Sequence, residues 1–166
     1  MHVIRCIINA YTESVNLCDN LFMQIKKYTD YGLRTLIYLG IRSPGSVVTI
    51  NEICDAYDIP RNHLNKVIHQ LGKEGFIRTK RGKNGGFSLA APPHEIRLDH
   101  VIRRLEGDTP WVNCHSPTCT IEPACELQHI LAEGKRAFYQ FLSNYTLASI
   151  IGNKAQLERI FTTNTL

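Results

Sequence analysis

The sequence predicts a mainly α chain with one small β-hairpin, arranged as a winged helix-turn-helix followed by a long helix. Three observations predict it. Apolar residues recur at helical spacing from residue 29 to residue 71, with short breaks between runs. Two strand-like runs flank a basic, glycine-rich segment, Lys80–Gly86. A second long helical run spans Ala124 to about Ser143, beyond a loop that holds cysteines.

The elements follow in order. Thr29 suits the N-cap of a first helix, Asp30 suits the positive end of its dipole, and Leu33, Leu36, Ile37 and Ile41 form its stripe. Ser43-Pro44-Gly45-Ser46 ends it. Thr49 with Glu52 three residues later has capping-box spacing and opens a second helix, with Ile50, Ile53, Cys54 and Tyr57 facing inward. Pro60 fits the first position of a third helix, where its missing N–H costs nothing. Leu64, Val67, Ile68 and Leu71 are that helix's buried stripe, and Gly75 ends it. Strands are expected at Phe76–Thr79 and Phe87–Leu89, joined through Asn84-Gly85, two residues that tolerate positive φ. A fourth helix covers about Leu98–Leu105. Residues 106–123 form a polar loop, the long helix follows, and Thr146 caps a short helix through Ile151. Gly152–Leu166 carries no clear period, and residues 1–22 look like an N-terminal extension without regular structure, or an upstream start. The expected boundaries are thus a 1–22 extension, a 23–106 winged helix-turn-helix, a 107–125 cysteine loop, and a 126–166 segment of long helix and tail.

The 166 residues carry a net charge of only +4. The charge is concentrated, however. Pro60–Lys83 holds seven basic residues and one acid, Glu74, so that stretch carries +6 and the rest of the chain −2. A basic block beside a near-neutral body suits a phosphate-facing surface, and equally a solvated face with no partner. No run approaches the roughly 18 apolar residues of a membrane span, and the N-terminus lacks the features of a signal peptide. A cytoplasmic location is expected, and with it reduced cysteines rather than a disulfide framework. The chain shows no Walker loop, no paired carboxylates and no nucleophile–base pair beyond the adjacent Cys114 and His115, so no enzymatic activity is expected.

Helix, turn, helix and basic hairpin in this order suit double-stranded DNA. A helix fits the major groove, and residues in its first turns reach base edges. Arg61, Asn62, His63 and Lys66 occupy those positions outside the apolar stripe. Lys80, Arg81, Lys83 and Asn84 sit among the glycines of the hairpin, where cations meet phosphates or enter the minor groove.

Cys114, Cys119 and Cys125 follow a C-x4-C-x5-C spacing, and Cys125 falls where the long helix is expected to open. A helix N-terminus stabilises a thiolate. Zinc, with His115 or His129 as a fourth ligand, and an iron–sulfur cluster fit this donor set about equally.

Several strings together resemble the NsrR family of nitric-oxide-sensing iron–sulfur repressors, related to IscR. They are Thr29-Asp30-Tyr31-Gly32-Leu33-Arg34, Arg61-Asn62-His63, Arg81–Gly86, Val112-Asn113-Cys114, Pro123-Ala124-Cys125 and Asn144–Ala148, and they cover most of the chain from Met23 to about Ile151. The resemblance implies a homodimer joined through the long helix and bound to operator DNA. It implies one cluster per subunit, [4Fe-4S] or [2Fe-2S], on Cys114, Cys119 and Cys125, with Asp30 of the other subunit as a fourth ligand. It also implies that nitric oxide attacks the cluster, displaces Asp30 and releases the DNA. Another signal, such as iron or redox status, is the alternative that the residues leave open.

Overall fold

The computed structural model describes residues 25–83, 85–115 and 117–163. Helices α1 (Lys27–Gly40), α2 (Ile50–Tyr57) and α3 (Arg61–Lys73) come first. The hairpin β1 (Ile77–Lys80) and β2 (Gly86–Leu89) follows, then α4 (Leu98–Glu106), a 3-10 turn at Glu122–Ala124, α5 (Leu127–Leu142), α6 (Leu147–Ile150) and α7 (Lys154–Thr163). This is the mainly helical, winged architecture that the sequence predicts, and no described helix is long and apolar enough to cross a membrane.

α1 is the centre of the core. Leu36 and Leu39 from α1, Ile53 from α2, Leu64, Val67 and Leu71 from α3, and Val101 and Leu105 from α4 are all buried together. Close approach makes this possible. A Cβ on Gly32 would stand 2.4 Å from Leu105 Cδ1, so α1 and α4 meet where a side chain is missing.

The start of α1 differs from the expectation. Lys26, not Thr29, is the N-cap. Thr29 lies inside the first turn, fully buried, with no hydrogen-bond partner for its hydroxyl. The Lys26 N–H is satisfied from a distance instead, by Glu106 Oε1 at 2.9 Å. The helix also stops at Gly40, ahead of the Ser43–Ser46 turn. At α2 the local signal holds: Thr49 N–H donates to Glu52 Oε1 at 2.8 Å and the reciprocal bond closes the box. Pro60 is the N-cap of α3 rather than its first helical residue, one position before the expected one.

The wing pairs Ile77 with Leu89 through Lys80 with Gly86, antiparallel. Both strands begin one residue away from the expected limits. Among the described tip residues, positive φ falls on Gly82 (108°) and not on Gly85; Asn84 lies outside the described residues. Val48 adds a single bridge to Phe87, with two backbone bonds of 2.9 Å, and so ties the wing to the entrance of α2.

The C-terminal part folds back on this body. Leu98 N–H donates to the Tyr145 carbonyl at 3.0 Å, and Leu147 N–H to the Ile96 carbonyl at 2.8 Å. Thr146 caps α6, its N–H reaching Ser149 Oγ at 3.1 Å. α7 then brings Phe161 edge-on to both Tyr38 and Tyr57, each with centroids 5.2 Å apart.

Candidate nucleic-acid interface and cysteine loop

α3 buries Leu64, Val67 and Leu71, which turns its other face to solvent. At 3.6 residues per turn that face carries Asn62, Asn65, Lys66, His69 and Lys73, all exposed. Asn65 and His69 were not among the predicted contacts. Their i, i+4 spacing with Arg61 and Lys73 is the signal that would have found them, and only the buried stripe gives it a direction. Arg61 and His63 are exposed at the start of the helix. Arg61 Nη1 donates to Asn51 Oδ1 on α2 at 2.7 Å, which holds the guanidinium at the turn between the two helices. Asn62 Oδ1 accepts the His63 N–H at 2.9 Å, and the His63 ring lies 6.4 Å from Tyr31. Tyr28 Oη donates to the Lys66 carbonyl at 3.2 Å, so the entrance of α1 braces α3 directly.

On the wing, Lys80, Arg81 and Lys83 are exposed. The tip is tight: a Cβ on Gly85 would stand 2.6 Å from the Lys80 carbonyl oxygen and 2.8 Å from that of Gly82. The chain therefore presents cations on α3 and cations on a closely packed hairpin, as separate elements of one body.

The cysteine loop runs from the end of α4 to α5. A chain of backbone bonds steps through it: Cys119 N–H to the Cys114 carbonyl at 2.9 Å, Glu122 N–H to that of Cys119 at 3.1 Å, and Cys125 N–H to that of Glu122 at 3.2 Å. All three cysteines are free and half-buried. Burial, and then the negative charges of Cys119, Glu122 and Cys125, push the Cys114 thiol up. Cys119 and Cys125 therefore stand within electrostatic range of Cys114, but among the described residues no three His, Cys, Asp or Glu side chains form a group that could hold a metal. Cys125 does not open a helix. Its backbone is extended (φ −103°, ψ 118°), it follows the 3-10 turn, and α5 starts two residues later. The helix-dipole argument for its thiolate accordingly falls away. His115 Nδ1 stands 3.2 Å from Glu122 Oε1, and His129 is exposed on α5. Asp30 lies in the first turn of α1, bound to Arg34 Nε at 2.9 Å.

α5 has two different faces. Tyr139 is buried toward α4, with the Arg103 guanidinium 4.0 Å over its ring. On the far side Leu127, Ile130, Gly134, Ala137 and Phe141 repeat at spacings of three and four, the a/d pattern of a helix–helix seam. Ile130 and Phe141 on this seam are 60% and 61% exposed.

Solved structures share this fold. The global cysteine regulator CymR of B. subtilis aligns with a TM-score of 0.64 at 21% identity, over 80% of this chain and 98% of that one. The oxidized form of Staphylococcus aureus CymR aligns at 0.62 and 26% identity, over 77% and 95%. IscR of T. potens aligns at 0.61 and 21% identity, over 79% and 88%. Residues 25–153, from the entrance of α1 to just beyond α6, match a family described as an iron-dependent transcriptional regulator. With the winged fold and the family match in agreement, the chain belongs to the Rrf2 family of transcriptional regulators.

Proposed function

We propose that the chain is a repressor that binds operator DNA as a homodimer, holds one iron–sulfur cluster per subunit on Cys114, Cys119 and Cys125, and leaves the DNA when nitric oxide reacts at that cluster. The observation that carries this reading is the position of the cysteine loop. It is strung between α4, which packs on α1 behind α3, and α5, whose apolar seam is exposed. A change in the loop therefore reaches both the DNA-reading unit and the helix offered to a second copy.

In this reading Arg61, Asn62, His63 and Lys66 approach base edges, with Asn65 and His69 beside them. Lys80, Arg81, Lys83 and Asn84 meet the backbone of the adjoining groove. Two copies joined along the α5 seam present two α3 helices, and their separation sets the half-site spacing.

The donor set suits the cluster in kind. Three thiolates are soft ligands for iron, and all three come from one short loop. None of them lies in α4 or α5, so drawing the sulfurs together rearranges the loop and spares the helices. Loading must first remove the thiol protons, a step made harder at Cys114 by burial and then by its neighbours. When bound, the cluster supplies iron that reacts with nitric oxide. Asp30 of the partner subunit is the proposed fourth ligand. To serve, it gives up an exposed i,i+4 pair with Arg34, worth no more than about 1 kcal/mol.

Iron and sulfide content of anaerobically purified protein, measured beside the visible spectrum, tests the cofactor. Brown protein with iron and acid-labile sulfide, both lost in Cys119→Ser, supports the proposal. Colourless protein containing zinc contradicts it. The family's description as iron-dependent favours one second reading, in which DNA binding follows iron supply. Release of DNA by a ferrous chelator, with nitric oxide leaving the complex intact, would select that reading.

A further inference from the structure

Between the end of α4, residues 108–112 and the inner face of α5 lies a cavity of about 330 Å3 that the proposed function leaves unused. Its lining carries one carboxylate, Asp108, and three cations, Arg103, Lys135 and Arg136, of which Arg136 is paired with Glu133 at 2.6 Å and the other two form the polar floor with Asp108. Lys135 is only 12% exposed, and its Nζ lies 3.4 Å from Asp108 Oδ1 and donates to the Thr109 carbonyl at 2.9 Å. Arg103 Nη1 lies 3.5 Å from the same Asp108 oxygen, and its guanidinium carbon lies 4.0 Å from the Tyr139 ring centroid. A nearly buried ammonium needs an anion nearby. Asp108 supplies it here, although its own side chain is 74% exposed. It reaches in from the rim and stands where the carboxylate of a ligand would bridge Arg103 and Lys135. One carboxylate shared by two cations leaves the floor with net positive charge.

The walls above this floor are mainly apolar, with two aromatic rings and the polar Gln128 among them. Trp111, Leu131 and Tyr139 line the cavity, and Trp111 stands over Gly134 at the border with the α5 seam, its ring 6.5 Å from that of Phe138. The volume lies at the small end of ligand pockets, which run from about 300 Å3 upward. We propose that this cavity binds a small aromatic monocarboxylate, whose carboxylate displaces Asp108 from Arg103 and Lys135 and whose ring lies against Trp111. The cavity is framed by α4 and by the stretch leading to Cys114, so an occupant fixes the position of the cysteine loop relative to the DNA-binding body. Binding in the cavity does not require a cluster on the loop.

Trp111 is the chain's single tryptophan, so its fluorescence reports on the cavity directly. The full chain is titrated with benzoate, with benzamide and with inorganic phosphate at constant ionic strength. Benzoate should change the emission saturably at millimolar concentration or below, and the other two should not. Lys135→Met should weaken benzoate at least about tenfold, since it removes one partner of a buried charge pair. Asp108→Asn removes an exposed internal competitor from a chain that otherwise keeps its packing, and should tighten benzoate several-fold. No saturable response to benzoate, an equal response to benzamide or phosphate, or weaker binding in Asp108→Asn would each overturn the proposal.

Discussion

Gly86 fixes the wing by lacking a side chain. A Cβ there would lie 2.3 Å from the Val48 carbonyl oxygen, and backbone atoms cannot yield as a side-chain tip can. Gly86→Ala should therefore break the Val48–Phe87 bridge and cost about 1–3 kcal/mol, read as a lower midpoint in urea. Tyr57 gives a residue-scale prediction in pH. Burial pushes its phenol up to about 12 from an ordinary 10.0, with Arg34 opposing and Tyr38 and Asp30 adding to the rise. Below pH 10 the phenol is protonated in both folded and unfolded chains. Between 10 and about 12 the unfolded chain loses the proton first, so the stability held in the neutral form falls as pH rises. Tyr57→Phe should flatten that part of the alkaline unfolding profile, measured as melting temperature at pH 9, 10 and 11. Some of this scale was legible in sequence. Thr49 and Thr146 cap their helices because each partner lies three residues away, within reach of local chemistry. Thr29 has the same chemistry and does not cap, because packing draws it into the core and Glu106, eighty residues beyond Lys26, satisfies the helix start instead.

At the scale of elements, the proposed DNA binding divides recognition between α3 and the wing. The wing cations Lys80, Arg81 and Lys83 are exposed on a hairpin whose core-facing residues are Ile77 and Phe87. Each replaced by alanine should weaken all DNA sequences alike and lower the slope of log affinity against log salt by about one. Unfolding midpoints should stay within about 0.5 kcal/mol, since the side chains touch no core. A steep salt slope left unchanged by the triple alanine variant would remove the wing from the interface. The helices and hairpin were legible because period and turn chemistry are local properties. The long helix was legible in existence but not in its start. Cys125 falls in extended backbone after the 3-10 turn, a boundary set by the loop's own hydrogen bonds and not by apolar spacing. α7 was not legible at all. Leu157 and Phe161 form no strong stripe alone, and their burial needs the tyrosine rings of α1 and α2.

At the scale of the molecule, the exposed seam of α5 is the feature that asks for a second copy. Phe141→Glu should convert a dimer to a monomer in sedimentation equilibrium, because a charge placed on an apolar seam loses its hydration there. The fold of each copy should survive, since the Phe141 side chain stands outside the core. DNA affinity should fall with the loss of the second half-site. The cysteine spacing was legible in sequence, and so was the loop that holds it. The arrangement of the sulfurs, which form no metal-holding group among the described residues, was not, because it depends on the conformation of a twenty-residue connection with few buried anchors. The most direct measurement is an anaerobic titration of the protein–operator complex with nitric oxide, following visible absorbance and DNA anisotropy in one cuvette. A coloured protein that loses colour and DNA together, at the same nitric oxide dose, is the expected result. A protein that keeps its DNA after the colour is gone, or binds and releases without ever being coloured, would contradict it.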